Sequence, residues 1–371
     1  MDNYELLVNL ACLMKQPTGI STYAYNVVPQ LGQLNPLLVS SQALATLPRW
    51  AIPEGFSPEF GVKGHLKRLI WTQFRLPHFY RQAKVNLMLS PLPEAPLWQG
   101  CRFVVCVFDL IPLRFPKRSS FATQYFRTWV PKVLSQAAHI ICCSRATAQD
   151  LSQFYGIDRA KISVVYLSHD SHHFQAKVAD GAVGDLAFSN DLKVPYFLYV
   201  GRHTAHKNTE RIIDAFTIFA RQNQEIELWI GGSRDRRYTP FLQQKVEAFN
   251  LNHRVKFLDY IDYAALPKFY SNARAFLFPS LWEGFGIPVL EAMACGTPVI
   301  TSKLASLPEV AGDAAFYVDP YSTKSMAAAL SAIAKDDCLA QDLAERGLHR
   351  SQQFSWEKTG RETAAILKRF L

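Results

Sequence analysis

Along almost the whole chain, short apolar runs alternate with longer amphipathic segments, and this alternation admits few folds. Strands buried on both faces read as continuous apolar runs, and helices that cross between them carry a 3.6-residue period. The pattern predicts an α/β fold with parallel sheets. In the first half it places strands near 4–10, 36–40, 85–90, 102–108, 139–144 and 162–167, with helices over 20–33, 65–83, 119–137 and 145–155. Between Gln175 and Lys193 the period lapses into Ala, Gly, Asp, Ser and Asn. It then restarts, with strands near 196–200, 226–230, 255–259, 275–279 and 298–301, and helices near 208–223, 240–249, 263–272, 286–295, 323–334 and 338–352. The chain of 371 residues is long enough for two cores. The reading is a first domain over 1–178, a linker over 179–193, a second domain over 194–353 and a closing helical segment over 354–371.

Charge divides the same two halves. Residues 1–178 carry 18 Lys and Arg against 9 Asp and Glu, whereas the remainder balances at 22 against 22. The first half is therefore expected to meet something anionic. Its segment Lys63 to Lys84 interleaves cations with aromatics at helical spacing, which is the composition of a face that rests on anionic lipid and equally of an ordinary polar helix face. Adding Arg114, Lys117, Arg118, Arg127 and Lys132 makes an acceptor bearing a lipid diphosphate a natural expectation. No apolar run reaches the roughly 18 residues of a membrane span, and Met1 to Glu5 lacks the basic region of a signal peptide. The expected location is cytoplasmic, at the inner face of the membrane. The seven cysteines show no metal-ligand spacing and mostly lie in apolar runs, so no metal site is expected.

Two strand-to-helix loops in the second half look built for a phosphate. The first is Val200-Gly201-Arg202-His203-Thr204-Ala205-His206-Lys207-Asn208-Thr209, in which a strand ends at Gly201 and a helix opens near Asn208. Arg202 and Lys207 flank this turn, and helix N-termini offer free N–H groups beside them. The second loop is Glu283-Gly284-Phe285-Gly286-Ile287-Pro288, which leads to Glu291 in the following helix. Gly284 and Gly286 allow close approach of a ligand, and carboxylates at the carboxyl edge of a parallel sheet are suited to hold sugar and ribose hydroxyls. Taken singly, each feature also fits a solvated turn or a surface helix.

The stretch Phe278 to Ile300, with Glu283 and Glu291 framing Gly-Phe-Gly-Ile-Pro, resembles the E-x7-E element of the retaining GT-B glycosyltransferases of family 4. The Pro17 to Tyr23 loop, Ser144-Arg145-Ala146-Thr147 and the Phe354-Ser355-Trp356-Glu357-Lys358 helix start extend the resemblance over nearly the whole chain. It implies two Rossmann-like domains facing each other across a cleft, with the last helix crossing back to the first domain. It further implies that Arg202 and Lys207 hold the diphosphate of a GDP- or UDP-linked sugar, that Glu283 contacts the sugar, and that Glu291 holds the ribose. Gly201, Gly284 and the amides from Phe285 through Gly286 to Ile287 would border sugar and phosphates, and Gly19 would let the first-domain loop approach them. The acceptor would be a saccharide or lipid-linked saccharide, with no cofactor and no obligatory metal.

One departure concerns the loop at Val107-Phe108-Asp109. Members commonly carry His-Asp there; here Asp109 is kept as the catalytic-side carboxylate and Phe108 replaces the His. An apolar wall beside C6 implies a donor without a 6-hydroxyl, a 6-deoxyhexose or a pentose, because a buried hydroxyl would go unpaired. A second reading is that Phe108 repacks and C6 is read elsewhere, and a third, that it marks a weakened enzyme, is opposed by Glu283, Glu291, Arg202 and Lys207. Among rival classes, a dinucleotide-dependent enzyme lacks G-x-G-x-x-G after any expected strand, and no nucleic-acid recognition motif is present. A sugar-nucleotide-binding or -modifying protein without transferase activity stays open.

Overall fold

The computed structural model describes residues 4–14, 19–98, 100–117, 119–176 and 194–371. The expected linker over 179–193, Pro17 and Thr18 of the first loop, and Arg118 lie outside the described residues. The chain divides into two compact units, Met1–Leu167 with Trp356–Leu371, and Ser168–Ser355.

The first unit is built on seven parallel strands: β1 (Leu6–Asn9), β2 (Pro36–Ser40), β3 (Arg49–Ala51), β4 (Leu87–Ser90), β5 (Phe103–Val107), β6 (His139–Cys142) and β7 (Ile162–Val164). Their order is β3-β2-β1-β4-β5-β6-β7. Strands β1, β2, β4, β5 and β6 are buried along their whole length, as their unbroken apolar runs require. Prolines divide the expected helices. Pro77 restarts the helix after Arg75, giving Gly61–Phe74 and Leu76–Ala83 in place of 65–83, and Pro131 likewise separates Phe121–Thr128 from Val130–Gln136.

The last helix, Trp356–Lys368, packs on helix Gly19–Val27 and the 3-10 segment Val28–Leu34 of this first unit. Gly360 is part of the reason, since a Cβ there would lie 2.4 Å from Cβ of Gln30. The Thr359 hydroxyl donates to the Tyr166 carbonyl at 2.7 Å, and Lys368 Nζ donates to Gln33 Oε1 at 2.9 Å.

The second unit carries β8 (Tyr196–Val200), β9 (Glu227–Gly231), β10 (Val255–Asp259), β11 (Ala275–Phe278), β12 (Val299–Ser302) and β13 (Phe316–Val318), all parallel, in the order β10-β9-β8-β11-β12-β13. Strands β3 and β13 were not expected from the sequence. Both outer limits of this unit also differ from expectation. Residues 168–176 belong to it and not to a first domain ending at 178, because Phe174 is buried with its ring edge-on to Tyr263 and Tyr270. At the other end Phe354 packs edge-on against Phe285, so the closing segment starts at Trp356 rather than 354.

Candidate functional site

Strands β8 and β11 are neighbours in the sheet, yet the chain leaves them in opposite directions, β8 toward β9 and β11 toward β12. This is the switch point of a doubly wound sheet, outside whose carboxyl ends a crevice is left for ligands. Both loops singled out in the sequence start there.

The first loop is fixed by backbone contact. The Gly201 N–H donates to the Gly231 carbonyl at 3.0 Å, and a Cβ on Gly232, at φ +126°, would fall 2.1 Å from the Gly201 oxygen. No side chain fits at that crossing. The loop ends in a 3-10 turn, Ala205–Lys207, and Asn208 follows in the left-handed region at φ +65° before helix Thr209–Ala220. From there Asn208 Nδ2 donates to the carbonyls of Pro279 (3.0 Å) and Pro320 (2.7 Å), and the Leu281 N–H donates to the His206 carbonyl at 2.7 Å. The two loops are therefore tied to each other. Neither Asn208's clamp nor its conformation was read from the sequence; an Asn just before a helix, where αL is tolerated, was the available signal.

The second loop rests on Ser306, whose hydroxyl lies 3.0 Å from the Glu283 carbonyl and 2.6 Å from that of Phe285. Gly286 stands at φ +110°, where a Cβ would press on Leu307 at 3.1 Å, and it opens helix Ile287–Ala294 with Pro288 in the first turn.

Lys207 and Glu283 meet directly. Lys207 Nζ lies 2.7 and 2.8 Å from the two carboxylate oxygens and 5.0 Å above the centre of the Phe278 ring. Both side chains are largely buried. Arg202 is exposed on the same loop. Glu291 sits on the helix beyond, where its carboxylate accepts from the Tyr270 hydroxyl at 3.0 Å. Burial raises its pKa to about 7, although the Tyr270 bond works in the opposite direction. Tyr270, buried and not singled out in the sequence, is pushed well up by its own burial and then by Glu291.

In the first unit Gly19, at φ +26°, starts helix Gly19–Val27, and the Ser21 hydroxyl of that helix accepts from the Met14 N–H at 3.1 Å. Asp109 Oδ1 accepts from the Ile111 N–H at 3.0 Å and so opens the short helix Ile111–Arg114. Phe108 is half-buried with its ring edge-on to Tyr23, centroids 5.0 Å apart. Two basic residues expected on an acceptor-facing surface are otherwise engaged. Arg114 pairs with buried Asp150 and covers the Phe154 ring, and Arg68 is buried against Glu94 at 2.7 Å. Burial pushes the Glu94 carboxyl up, but Arg68 outweighs it and holds the net value below the usual range. Beyond the ends of β1 and β4, the switch point of this first sheet, lies a cavity of about 310 Å³ lined by Cys12, Ser21, His65, Arg68, Glu94 and Tyr125 among others.

Residues 187–350 match the family model described as glycosyl transferases group 1, and residues 17–172 match that of glycosyltransferase family 4. Two similar curated proteins are the O-antigen chain mannosyltransferase B of Escherichia coli, 36% identical over 174 residues (47% of this chain and 45% of that one), and the O-antigen chain mannosyltransferase RfbU of Salmonella typhimurium, 32% identical over 229 residues (62% and 60%). The chain thus spans about half the length of the curated relatives it matches. Among solved structures, sucrose-phosphate synthase from Thermosynechococcus elongatus superposes with a TM-score of 0.76 at 19% identity, covering 98% of each chain. Anabaena Alr3699/HepE in complex with UDP-glucose gives 0.75 at 17%, covering 98% of this chain and 99% of that one. Both likenesses establish the GT-B fold.

Proposed function

Because the chain belongs to the group 1, family 4 glycosyltransferases, we propose that it moves a sugar from a nucleoside diphosphate sugar to a saccharide or lipid-linked saccharide, with retention at the anomeric carbon. The observation that carries this reading is the Lys207–Glu283 pair at the switch point of the second sheet. A cation for a diphosphate and a carboxylate for sugar hydroxyls stand within one hydrogen bond of each other there. Arg202 adds a second positive charge for the leaving diphosphate, and Glu291 is the group for the ribose. Gly201, Gly284 and the amides of Phe285, Gly286 and Ile287 border the same ground.

In the proposed step the bond from C1 to the phosphate oxygen breaks, a bond from C1 to the acceptor oxygen forms, and the acceptor proton passes to the departing phosphate. Lys207 and Arg202 stabilise the charge that builds on that phosphate. No divalent metal is required, so transfer should survive EDTA. Asp109 and Gly19 are the first-unit residues assigned to the reaction.

The two similar proteins are named O-antigen chain mannosyltransferases, which supports a role in cell-surface polysaccharide synthesis and makes mannose the first donor to try, as GDP- or UDP-mannose. The contact of Phe108 with Tyr23 favours the reading in which Phe108 packs. A 6-deoxyhexose or pentose donor is the second reading, favoured by the absence of a polar side chain at position 108. The proposed place of work is the cytoplasmic face of the membrane.

A thermal-shift series with UDP, GDP, ADP and NAD tests the binding half of the proposal. A ligand at 100 times its Kd stabilises by about 2.7 kcal/mol. Stabilisation by a nucleoside diphosphate and not by NAD is the expected result; the reverse would overturn the reading. Release of product from a donor panel with and without acceptor then separates a transferase from a binding protein.

A further inference from the structure

Helix Gly61–Phe74 turns two unlike faces in two directions. Gly64, Arg68, Trp71 and Thr72 are buried in the first unit. On the opposite side Val62, Leu66, Ile70 and Phe74 recur every four residues, each between 42 and 68% exposed. Scattered exposed apolar residues are ordinary on a protein surface, whereas a contiguous row of four marks a surface that meets something.

The charges around the row say what. Residues 61–84 contain no Asp or Glu. Lys63 and Lys67 are exposed and follow Val62 and Leu66 directly, so they flank the row on the same side of the helix. Arg75, His78, Arg81 and Lys84 are exposed along the next helix, Leu76–Ala83, and its end. Arg68, the basic residue that faces inward, is neutralised by Glu94 and takes no part. Trp98, 65% exposed, sets its ring edge-on to Trp129 at 5.6 Å and is not part of the row. An apolar row flanked by cations is the combination that sits at a lipid headgroup boundary.

We propose that helix Gly61–Phe74 lies flat on an anionic bilayer, with Val62, Leu66, Ile70 and Phe74 in the acyl boundary and Lys63 and Lys67 at lipid phosphates. This deepens the reading above by naming the surface at which a lipid-linked acceptor is met, and it rests on that reading only for the acceptor. His65 and Arg68, on the inner side of the same helix, line the 310 Å³ cavity. The cavity wall is thereby held about one helix diameter, roughly 10 Å, from the headgroups.

Flotation of the full chain with phosphatidylcholine vesicles, with and without phosphatidylglycerol, tests this without any sugar nucleotide. Wild type is expected to float with the anionic vesicles at low salt and to leave them at high salt. The doubly substituted Leu66→Glu/Ile70→Glu protein should partition about tenfold less or weaker. Lys63→Gln and Lys67→Gln should each lower partitioning about fivefold. Phe241→Glu, on an exposed position of the second unit, should float as wild type does. Circular dichroism checks that each variant is folded, and a thermal shift with nucleoside diphosphates on the same samples judges the transferase reading separately. The proposal is overturned if wild type does not float at low salt, or if Leu66→Glu/Ile70→Glu floats unchanged. It is also overturned if the row proves to be a self-association face, with wild type dimeric, the double variant monomeric and neither bound to vesicles.

Discussion

Lys207 Nζ lies within 2.8 Å of both carboxylate oxygens of Glu283, a residue 76 positions further along the chain. The pair joins the two loops that leave the switch point, so removing one member affects folding and chemistry together. Lys207→Met leaves a buried carboxylate without its cation, which should cost about 1–3 kcal/mol in urea unfolding. The kcat/KM for the preferred donor should fall by about two orders of magnitude or more. A Lys207→Met protein that is destabilised yet fully active would remove the loop from the reaction.

Glu291 gives the protein a pH dependence with a defined sign. Its folded pKa of about 7 lies above the ordinary carboxyl value of 4.5 because of burial. Below 4.5 the folded and unfolded states are both protonated and the group contributes nothing. As pH rises toward 7 only the unfolded state releases the proton, so stability is lost across that window and then levels off. The ligand-free protein should therefore show a Tm that declines between about pH 5 and 7.5, with that component missing in Glu291→Gln. Nucleoside diphosphate affinity should rise over the same window, as the carboxylate becomes the stronger acceptor for ribose hydroxyls, and Glu291→Gln should flatten this too.

Asn208 combines a left-handed backbone with two buried hydrogen bonds, and the two contributions separate by substitution. Asn208→Ala loses both and should be destabilised by roughly 2–4 kcal/mol. Asn208→Gly keeps the backbone freedom and should recover about 1 kcal/mol of that. Chemical denaturation of both proteins distinguishes them, and each should show a raised donor KM because the loops are no longer tied.

Phe108 tests which of its two roles holds. If its contact with Tyr23 is what matters, Phe108→Ala should lower stability by about 1–2 kcal/mol while the ranking of donors stays fixed. Competition between a mannosyl and a 6-deoxymannosyl nucleotide sugar measures this. A change in ranking on Phe108→His would instead place the side chain beside the sugar.

Much of this arrangement was legible in the sequence. Continuous apolar runs marked the strands; Glu283, Glu291, Arg202 and Lys207 stood in loops at strand ends, which is local information, but their expected roles came from the resemblance to family 4. What escaped depended on the order of strands in the sheets. Arg68 read as part of a basic surface because its partner Glu94 lies 26 residues away on the far side of β4. Arg114 read as free for the same reason, its partner Asp150 lying 36 residues on. The apolar row of helix Gly61–Phe74 was hidden by its own period, since spacing alone cannot say which of two apolar faces goes inward.

The return of helix Trp356–Lys368 to the first unit has a consequence for synthesis. The first unit is begun by the residues made first, but Ile366 and Leu367 of its buried core leave the ribosome only after the whole of Ser168–Ser355. Until then helix Gly19–Val27 and the segment beside it lack their cover, whereas the second unit has every one of its own strands in hand. The nascent chain thus matures out of order, the unit made second being free to finish first.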